Sequence, residues 1–419
     1  MIQLWRINES TFNFRVFNKK FVGLENQGEG SNMVAVSNAP NNTETFQIIR
    51  KNAGKGKNRN LIKIKASNGL FVQAQSETLV TADYEDSAGW EDDNPSVFKM
   101  KILSTATLRG EYQLTNGLGP ERAPQVMQDH WNSFITEEDF KFMSKNGLNA
   151  VRIPVGWWIA YDPNPPKPFV GGSLAALDNA FKWAQNNGMK VIIDLHAIQG
   201  SQNDKDHSGT RDGFIEWDDS YLPETVAVID FLAARYAKNP SLAAIQLMNE
   251  PWSPYINPET LKKYYKEGYD AVRKYTRNAY VLMSVRMNTR NTTEFLSFAG
   301  SKGFDRVVIG VHYYYIFYDM FKNMTVQQTI DYIHNHSAED LASVTPSNGT
   351  LSYVGEWTGE LHPALAKNAT KQDYQRFVQA QIDVYGKATF GWAFWTYKTP
   401  KHHWSLKWMI KNNIIKLKA

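Results

Sequence analysis

The chain contains no cysteine, so disulfide pairing cannot indicate the compartment in which the protein works. No segment is apolar for long enough to cross a membrane, and we therefore expect no membrane insertion. The opening residues, MIQLWRINES, also lack the apolar core of a signal peptide. Hydrophobic residues make up 42% of the chain and charged residues 21%, which is the ordinary balance of a globular protein.

Several signatures of common enzyme classes are also missing. There is no HExxH helix for zinc, and the adjacent His402 and His403 are poorly spaced for chelation, so we expect no metal and no other cofactor. No GxSxG elbow follows a strand, which argues against a serine hydrolase. Basic residues are scattered at a net charge of +4, and the main run, Lys51 to Arg59, is rich in Gly and Asn. That run predicts a solvated hairpin loop and no nucleic-acid partner.

Aromatic residues are abundant, at 13% of the chain with 13 Trp and 20 Tyr. Sugar rings stack their apolar faces on aromatic planes, so this composition suits carbohydrate binding, but it suits a large core equally well. Seven Asn-X-Ser/Thr sequons favour a secreted glycoprotein: Asn8, Asn41, Asn291, Asn323, Asn335, Asn348 and Asn368. We therefore expect secretion, with the leader peptide missing from this sequence.

Residues 1–105 contain an internal repeat. FRVFNKKFVGLEN, starting at Phe14, matches IKIKASNGLFVQAQ, starting at Ile62, and Phe21 matches Phe71 at a spacing of 50 residues. Each copy consists of short strand-like segments separated by Asn, Gly, Pro and Asp. This pattern predicts a β-trefoil of which about two of three units are present. A two-unit β-sandwich is the alternative.

From about residue 135 the pattern changes to apolar strands that alternate with amphipathic helices. Helices are predicted at 136–147, 173–188 and 259–275, with Ser173 as an N-cap and Gly147 as a C-cap. Strands that are apolar throughout predict a parallel sheet buried on both faces. We expect residues 106–419 to form a (β/α)8 TIM barrel that lacks its first strand, with a doubly wound open sheet as the alternative. The seven predicted strands are 149–156, 190–196, 243–251, 279–285, 307–314, 352–357 and 390–396.

Polar or aromatic residues lie at or near the C-terminal ends of nearly all these strands, where barrel enzymes hold their chemistry. With a first strand missing, the two glutamates among them would lie on barrel strands four and seven. Any one of these residues alone is as readily a loop carboxylate, a buried histidine or a core tryptophan. Their joint placement is far more specific than any member. In chain order they are Arg152, His196, Asn249, Glu250, His312, Tyr314, Glu356 and Trp395.

Two carboxyl groups that converge on one face are what the cleavage of a glycosidic bond requires. One protonates the leaving oxygen, and the other attacks the anomeric carbon or activates water. We assign Glu250 as the acid/base and Glu356 as the nucleophile, with Arg152 holding Glu356 ionised. Asn249 would bond the sugar 2-hydroxyl, and Trp395 would form an apolar floor beneath the ring.

The ordered segments NAVRIPVGWW, DLH with GSQN, MNEP, HYY, GEW and FWTYK resemble glycoside hydrolase family 5, in its exo-β-1,3-glucanase-like branch. The likeness covers essentially all of residues 110–415. It implies that the eight strand-end residues occupy the family's active-site positions, with Glu250 as acid/base and Glu356 as nucleophile. Similarity to a plant-type subgroup implies a fascin-like β-trefoil inserted after the first barrel strand. It also implies a monomer that acts on β-glucan oligosaccharides or small β-glucosides.

The resemblance also predicts features that this sequence lacks. A first barrel strand and a further trefoil unit should precede the residues given, and Gly359 and Thr399 stand where the subgroup often has a pair of cysteines. The leading hypothesis is a retaining exo-β-1,3-glucanase or β-glucosidase. The alternatives are a glycosidase or transglycosidase of plant-metabolite or hormone glycosides, and a non-catalytic carbohydrate-binding protein.

Overall fold

The computed structural model describes residues 2–28, 30–51, 60–85, 89–91, 93–101, 108–289, 291–347 and 349–417. The chain divides into two compact units, one of Met1–Asp129 with Pro166–Val170 and one of His130–Pro165 with Gly171–Ala419. The hairpin loop predicted at 51–59 and the domain boundary predicted at residue 105 lie almost wholly outside the described residues. Within the described residues, no helix combines the length and apolarity needed to cross a bilayer.

The first unit contains an antiparallel sheet with the strand order β4-β3-β2-β5-β6-β7-β8, in which β1 also pairs with β2 and β9 with β6. Its core is built by alternation, because Phe12 and Phe14 of one strand and Phe46 and Ile48 of its neighbour point to the same side. Phe14 stacks on Phe46 with ring centroids 4.9 Å apart. The described strands are β1 Gln3–Arg6, β2 Thr11–Arg15, β3 Phe21–Leu24, β4 Met33–Ser37, β5 Thr45–Arg50, β6 Leu61–Lys65, β7 Phe71–Ala74, β8 Val80–Tyr84 and β9 Phe98–Lys99.

The sequence repeat corresponds to a repeated hairpin. Arg15 pairs with Phe21 in the first copy and Lys65 pairs with Phe71 in the second, and each copy has an irregularity directly after the phenylalanine. Both turns also use the same asparagine. The side-chain oxygens of Asn18 and Asn68 accept from the backbone NH two residues later, and their amide groups donate to carbonyls of the strand after the hairpin, Ala35 in β4 and Ala82 in β8.

A long helical segment, α1 (Glu111–Ser133), follows the antiparallel sheet. Its backbone leaves the helical region at Gly119, whose φ of 77° and ψ of 168° are open to glycine but strained for other residues. Pro120 comes directly after this break, where its missing NH costs nothing because it opens a new helical stretch. The segment is therefore two helices joined by a kink.

The second unit contains a parallel sheet of seven strands, paired in chain order from the first to the seventh. This order lacks the reversal that defines a doubly wound sheet, so the open-sheet alternative is wrong. The last strand is far shorter than predicted, although the backbone NH groups of Ala393 and Trp395 still donate to the preceding strand. The strands are β10 Ala150–Gly156, β11 Lys190–Ala197, β12 Leu242–Gln246, β13 Tyr280–Ser284, β14 Val307–Tyr313, β15 Leu351–Trp357 and β16 Gly391–Trp392.

Helices connect successive strands, with caps close to those predicted. Gly172 occupies the N-cap that was predicted for Ser173, and Gly147 adopts the left-handed conformation one residue after the C-cap of its helix. A π-helical turn at Ile333–Ser337 joins α7 to α8. The described helices of this unit are α2 Glu137–Lys145, α3 Ser173–Asn186, α4 Leu222–Tyr236, α5 Pro258–Arg273, α6 Leu296–Ala299, α7 Val326–Tyr332, α8 Ala338–Ser343, α9 Pro363–Ala366, α10 Lys371–Tyr385 and α11 Leu406–Lys411.

The strand β11 shows how the parallel sheet orders its layers. Val191, Ile193 and Leu195 pack into the large cluster formed with the helices, whereas Ile192 packs on the opposite face with one residue from each of β12 to β15. Side chains two positions apart share a face, so Asp194 and then the predicted site residue His196 follow Ile192 towards the strand's end. The apolar layer therefore lies beneath a polar one.

Candidate active site

The eight predicted site residues lie in or just after the parallel strands, and their side chains meet at one end of the sheet. Arg152, His196, His312 and Glu356 lie within strands, and the others follow a strand within a few residues. Because the strands are parallel, their C-terminal ends share one edge. The residues thus brought together, through direct contacts described below, are Arg152, His196, Asn249, Glu250, His312, Tyr314, Glu356 and Trp395.

Arg152 is the hub of this polar layer. Its guanidinium donates to Glu356 at 2.9 Å, to Asn249 at 2.7 Å and to Gln246 at 2.8 Å. It also lies 2.9 Å from the Asp194 carboxylate, and its side chain is only 3% exposed. Burial opposes the charged form, but the two carboxylates outweigh it and raise the pKa of Arg152 above its usual range. A permanently charged group therefore fixes four residues that lie on, or just after, three other strands.

Glu356 is held by donors at both carboxylate oxygens. Arg152 donates to Oε1, and the hydroxyl of Tyr314 donates to Oε2 at 2.7 Å. Nδ1 of His312 lies 3.7 Å from Oε2. Burial alone would raise the pKa of Glu356, but the charges of His312 and Arg152 and the tyrosine hydroxyl lower it to about 2. Glu356 is therefore ionised at neutral pH.

Glu250 has a different set of partners. Its Oε1 is 2.8 Å from Nδ1 of His312, and its Oε2 is 3.5 Å from Nε2 of His207. The backbone at Glu250 has a φ of 44°, a left-handed value that is uncommon outside glycine. Asn203 donates from its buried side chain to the Glu250 carbonyl oxygen at 3.0 Å, which helps to hold that conformation.

A carboxylate oxygen of Glu250, one of Glu356 and a ring nitrogen of His312 lie within 4.8 Å of one another. Burial lowers the pKa of His312, but the two glutamates outweigh burial and raise it, and Nδ1 of His312 lies 2.8 Å from Glu250 and 3.7 Å from Glu356. Such a trio could also coordinate a cation. Both oxygens of Glu356 already accept from Arg152 and Tyr314, and a metal ion would have to compete with a guanidinium for them.

The fourth element of the site is a chain from Asp194 through His196 to Asn249. Nδ1 of His196 lies 2.6 Å from the Asp194 carboxylate, and Nε2 lies 3.3 Å from the Asn249 amide nitrogen. This network assigns the proton to Nδ1, so that Nε2 accepts from the amide. The Trp395 ring stacks on His196 with centroids 5.2 Å apart and planes 8° apart. The predicted apolar floor is thus fixed against a hydrogen-bonded histidine.

Sequence reasoning missed five polar residues that build this site. Asp194 and Gln246 carried a usable signal, since each faces the interior on a strand that ends in a predicted site residue. Gln202 lies in the GSQN segment that carries the family resemblance, but no role was predicted for it: its side-chain amide donates to the carbonyls of His196 and Asn249, both at 2.7 Å, and so joins two strand ends. The full set is Asp194, Gln202, Asn203, His207 and Gln246.

Comparison with known proteins matches both parts of the chain. A family model described as "Cellulase (glycosyl hydrolase family 5)" matches residues 119–400, which is more than half of the chain. The chain belongs to glycoside hydrolase family 5. A second model, described as "Domain of unknown function (DUF7910)", matches residues 1–103. The predicted family and the predicted barrel fold are both confirmed.

This family 5 chain is similar to proteins named as glucan 1,3-beta-glucosidases. It is 33% identical over 346 residues to a "Probable glucan 1,3-beta-glucosidase A" of Emericella nidulans, covering 73% of this chain and 82% of the relative. It is 32% identical over 344 residues to a "Glucan 1,3-beta-glucosidase" of Blumeria graminis, covering 73% and 78%. This chain is therefore a glycoside hydrolase.

A solved structure supports the fold of this family 5 chain. The crystal structure of a rutinosidase from Aspergillus niger superposes with a TM-score of 0.62 at 19% sequence identity, covering 73% of this chain and 89% of that one. At such low identity the likeness shows the barrel fold alone.

Proposed function

We propose that this enzyme is a retaining, exo-acting β-glucosidase of the glucan 1,3-β-glucosidase type, with Glu356 as nucleophile and Glu250 as acid/base. The observation that carries the proposal is the spacing of the two carboxyl groups, whose oxygens approach within 4.8 Å. Retaining enzymes place the two carboxyl groups about 5 to 5.5 Å apart, whereas inverting enzymes leave about 6.5 to 9.5 Å for a water molecule.

The charges around each glutamate support this division of roles. Glu356, with a pKa near 2, is ionised and able to attack the anomeric carbon. Glu250 gives its proton to the glycosidic oxygen as that bond breaks, which leaves a glucosyl ester on Glu356. In the second step Glu250 takes a proton from water, and the water oxygen replaces Glu356 at the anomeric carbon. Sugar and water are the only reactants.

The substrate class follows from the relatives, two of which are named as glucan 1,3-β-glucosidases at 32 to 33% identity. We infer that laminari-oligosaccharides or small β-glucosides occupy the pocket. Trp395, stacked on His196, would present an apolar surface to the sugar ring, and Asn249 would bond its 2-hydroxyl. Glycosides of plant metabolites remain the alternative substrates, and comparing turnover of laminaribiose with that of aryl glucosides separates the two.

A 2-deoxy-2-fluoroglucoside with a good leaving group tests the mechanism, because the fluorine slows the second step and traps the ester. We expect one fluoroglucosyl group per chain, carried by the peptide that contains Glu356, and loss of activity in proportion to labelling. Product analysis by NMR should show β-glucose first. A label on another residue, or α-glucose as the first product, would refute the proposal, and binding without any turnover would favour the non-catalytic alternative.

We further infer that residues 1–105 form a fascin-like β-trefoil module and residues 106–419 the catalytic barrel. The repeated hairpins, closed by Arg15 with Phe21 and by Lys65 with Phe71, support a unit that recurs every 50 residues. The two family matches end at residue 103 and begin at residue 119, which agrees with a boundary near 105.

We also propose that the protein is secreted and acts as a monomer. Six sequon asparagines are exposed, and the seventh, Asn348, lies outside the described residues. Treatment of the protein from its natural source with an N-glycan-removing amidase should lower its mass by several glycans. An unchanged mass would remove this support. The exposed asparagines are Asn8, Asn41, Asn291, Asn323, Asn335 and Asn368.

A further inference from the structure

Two imidazoles contact the two oxygens of the Glu250 carboxyl group. Nδ1 of His312 lies 2.8 Å from Oε1, and Nε2 of His207 lies 3.5 Å from Oε2. The two rings differ in how readily they bind a proton. The pKa of His312 is raised by the two glutamates, although its burial opposes this. The pKa of His207 is lowered by burial and by nearby His196, in spite of Glu250. The ring that faces Oε1 therefore binds a proton more readily than an ordinary histidine, and the ring that faces Oε2 less readily.

His207 is held firmly by the segment that carries it. The hydroxyl of Ser208 donates to the carbonyls of Asn203 and Lys205, at 3.0 and 2.8 Å. The next residue, Gly209, has a φ of 67°, and a Cβ there would lie 2.8 Å from the Trp158 ring. The His207 ring itself packs edge-on against His196, with centroids 5.2 Å apart. Its distance from Glu250 is thus set by packed neighbours.

The two partners decide which Glu250 oxygen can carry a proton. With a proton on Nδ1, His312 donates to Oε1 at 2.8 Å, so that oxygen acts as an acceptor, and the acid proton belongs on Oε2 beside His207. Nδ1 of His207 is buried and has no hydrogen-bond partner among the described residues, so no contact there fixes its tautomer. Nε2 can therefore accept from protonated Glu250 or donate to its carboxylate, and the 34% exposure of the side chain allows exchange with water.

We propose that His207 is a positioning residue for the acid/base glutamate, orienting Oε2 towards the leaving group and donating to it once its proton has left. This inference rests on the proposed function. It predicts that His207 matters in proportion to how much the leaving group needs protonation. A ring that only filled space would matter equally for every substrate.

The test is a leaving-group series with His207→Ala and His207→Gln. For His207→Ala we expect kcat/KM to fall roughly tenfold or more with laminaribiose or an alkyl glucoside, but by less than about twofold with 2,4-dinitrophenyl glucoside, whose departure needs little acid. His207→Gln, which keeps a neutral polar group, should recover part of the loss. The matched control is His334→Ala, since His334 is exposed on the π-helical turn, and it should leave all values unchanged.

Two outcomes would overturn the role of His207: an equal loss of kcat/KM across the series, or no loss with any substrate. The rate of fluorosugar labelling separates this failure from others. An unchanged labelling rate in His207→Ala shows an intact pocket, because dinitrophenolate leaves without an acid. If Glu356 of the unaltered enzyme is not labelled, the proposed function fails first. If it is labelled and the leaving-group dependence is flat, only the role of His207 is wrong.

Discussion

The two carboxyl groups of the site differ in the kind of charge that surrounds them. Both oxygens of Glu356 accept from groups that do not titrate near neutrality, a guanidinium and a tyrosine hydroxyl, and its side chain is 5% exposed. Both oxygens of Glu250 face imidazoles, and its side chain is 12% exposed. A fixed environment suits a group that must remain ionised. An environment that can change charge suits a group that gives and takes a proton in each cycle.

The backbones of the two glutamates differ in the same sense. Glu356 lies within β15, opposite His312 of β14, so the sheet itself determines its position. Glu250 lies four residues beyond the end of β12, in a left-handed conformation held by Asn203 and by the bond that the Met287 NH donates to the Pro251 carbonyl. Side-chain contacts from neighbouring loops therefore hold the acid, whereas the ladder of the sheet holds the nucleophile.

Replacing Glu356 with Gln tests the glutamate whose partners do not change charge, and this variant should have the largest effect. The amide keeps the shape and can still accept from Arg152, but it cannot form the glucosyl ester. We expect kcat to fall on the order of 10⁵-fold, as for other enzymes that lose their nucleophile. Turnover of 2,4-dinitrophenyl glucoside measures it, with circular dichroism to confirm folding. Residual activity within tenfold of the unaltered enzyme would assign the nucleophile to another residue.

Glu250→Ala tests the glutamate that faces two imidazoles. For laminaribiose we expect kcat/KM to fall by about 10² to 10⁴, the usual contribution of a general acid. For 2,4-dinitrophenyl glucoside the first step should proceed, and the ester should accumulate because no base activates water. Added azide needs no base, so it should restore turnover and yield β-glucosyl azide. An α-azide, or no response to azide, would place Glu250 outside the acid/base role.

Arg152→Met tests whether the buried ion pairs of Arg152 also stabilise the fold. Removing the guanidinium takes away the charge that buried Glu356 and Asp194 share and leaves the histidines as their cationic partners, and breaking such a buried pair costs about 3 to 5 kcal/mol. The control is Arg235→Met, because Arg235 pairs with Asp178 at the surface with side chains 41% and 40% exposed. Its loss should cost less than about 1 kcal/mol. Urea unfolding measures both, and equal costs would contradict the comparison.

The strand residues around Glu356 could be placed from the sequence, because strand periodicity determines which side chains face the interior. Ile192, Asp194 and His196 lie two positions apart along β11, so all three face the interior if one of them does. The same reasoning brought Arg152 and Glu356 to one edge of the sheet, although 204 positions separate them. Their pairing followed from strand order alone.

The sequence did not predict His207, the second partner of the Glu250 carboxyl group, since a loop carries it. His207 follows the end of β11 by ten positions and reaches Glu250 only because Asn203, Ser208 and Gly209 bend the segment back. No period in the sequence marks such a return. The short β16 was misjudged for a related reason: FGWAFWT is apolar throughout, but only Gly391–Trp392 pair as a strand. The apolar composition of this segment does not by itself determine which of its residues pair with the neighbouring strand.

The smallest expected effect concerns His312, which lies next to both Glu250 and Glu356. Its charge acts together with Arg152, His196 and the Tyr314 hydroxyl against the effect of burial and lowers the pKa of Glu356 to about 2, so His312→Asn should raise that pKa. Labelling by a dinitrophenyl 2-fluoroglucoside needs an ionised nucleophile but no acid, and therefore isolates Glu356 from Glu250. In the unaltered enzyme its rate should stay level as the pH falls from 7 to about 3, and in the variant it should decline at a pH higher by about one unit. Identical profiles would mean that Arg152 and Tyr314 alone keep Glu356 ionised, and that His312 serves only the acid.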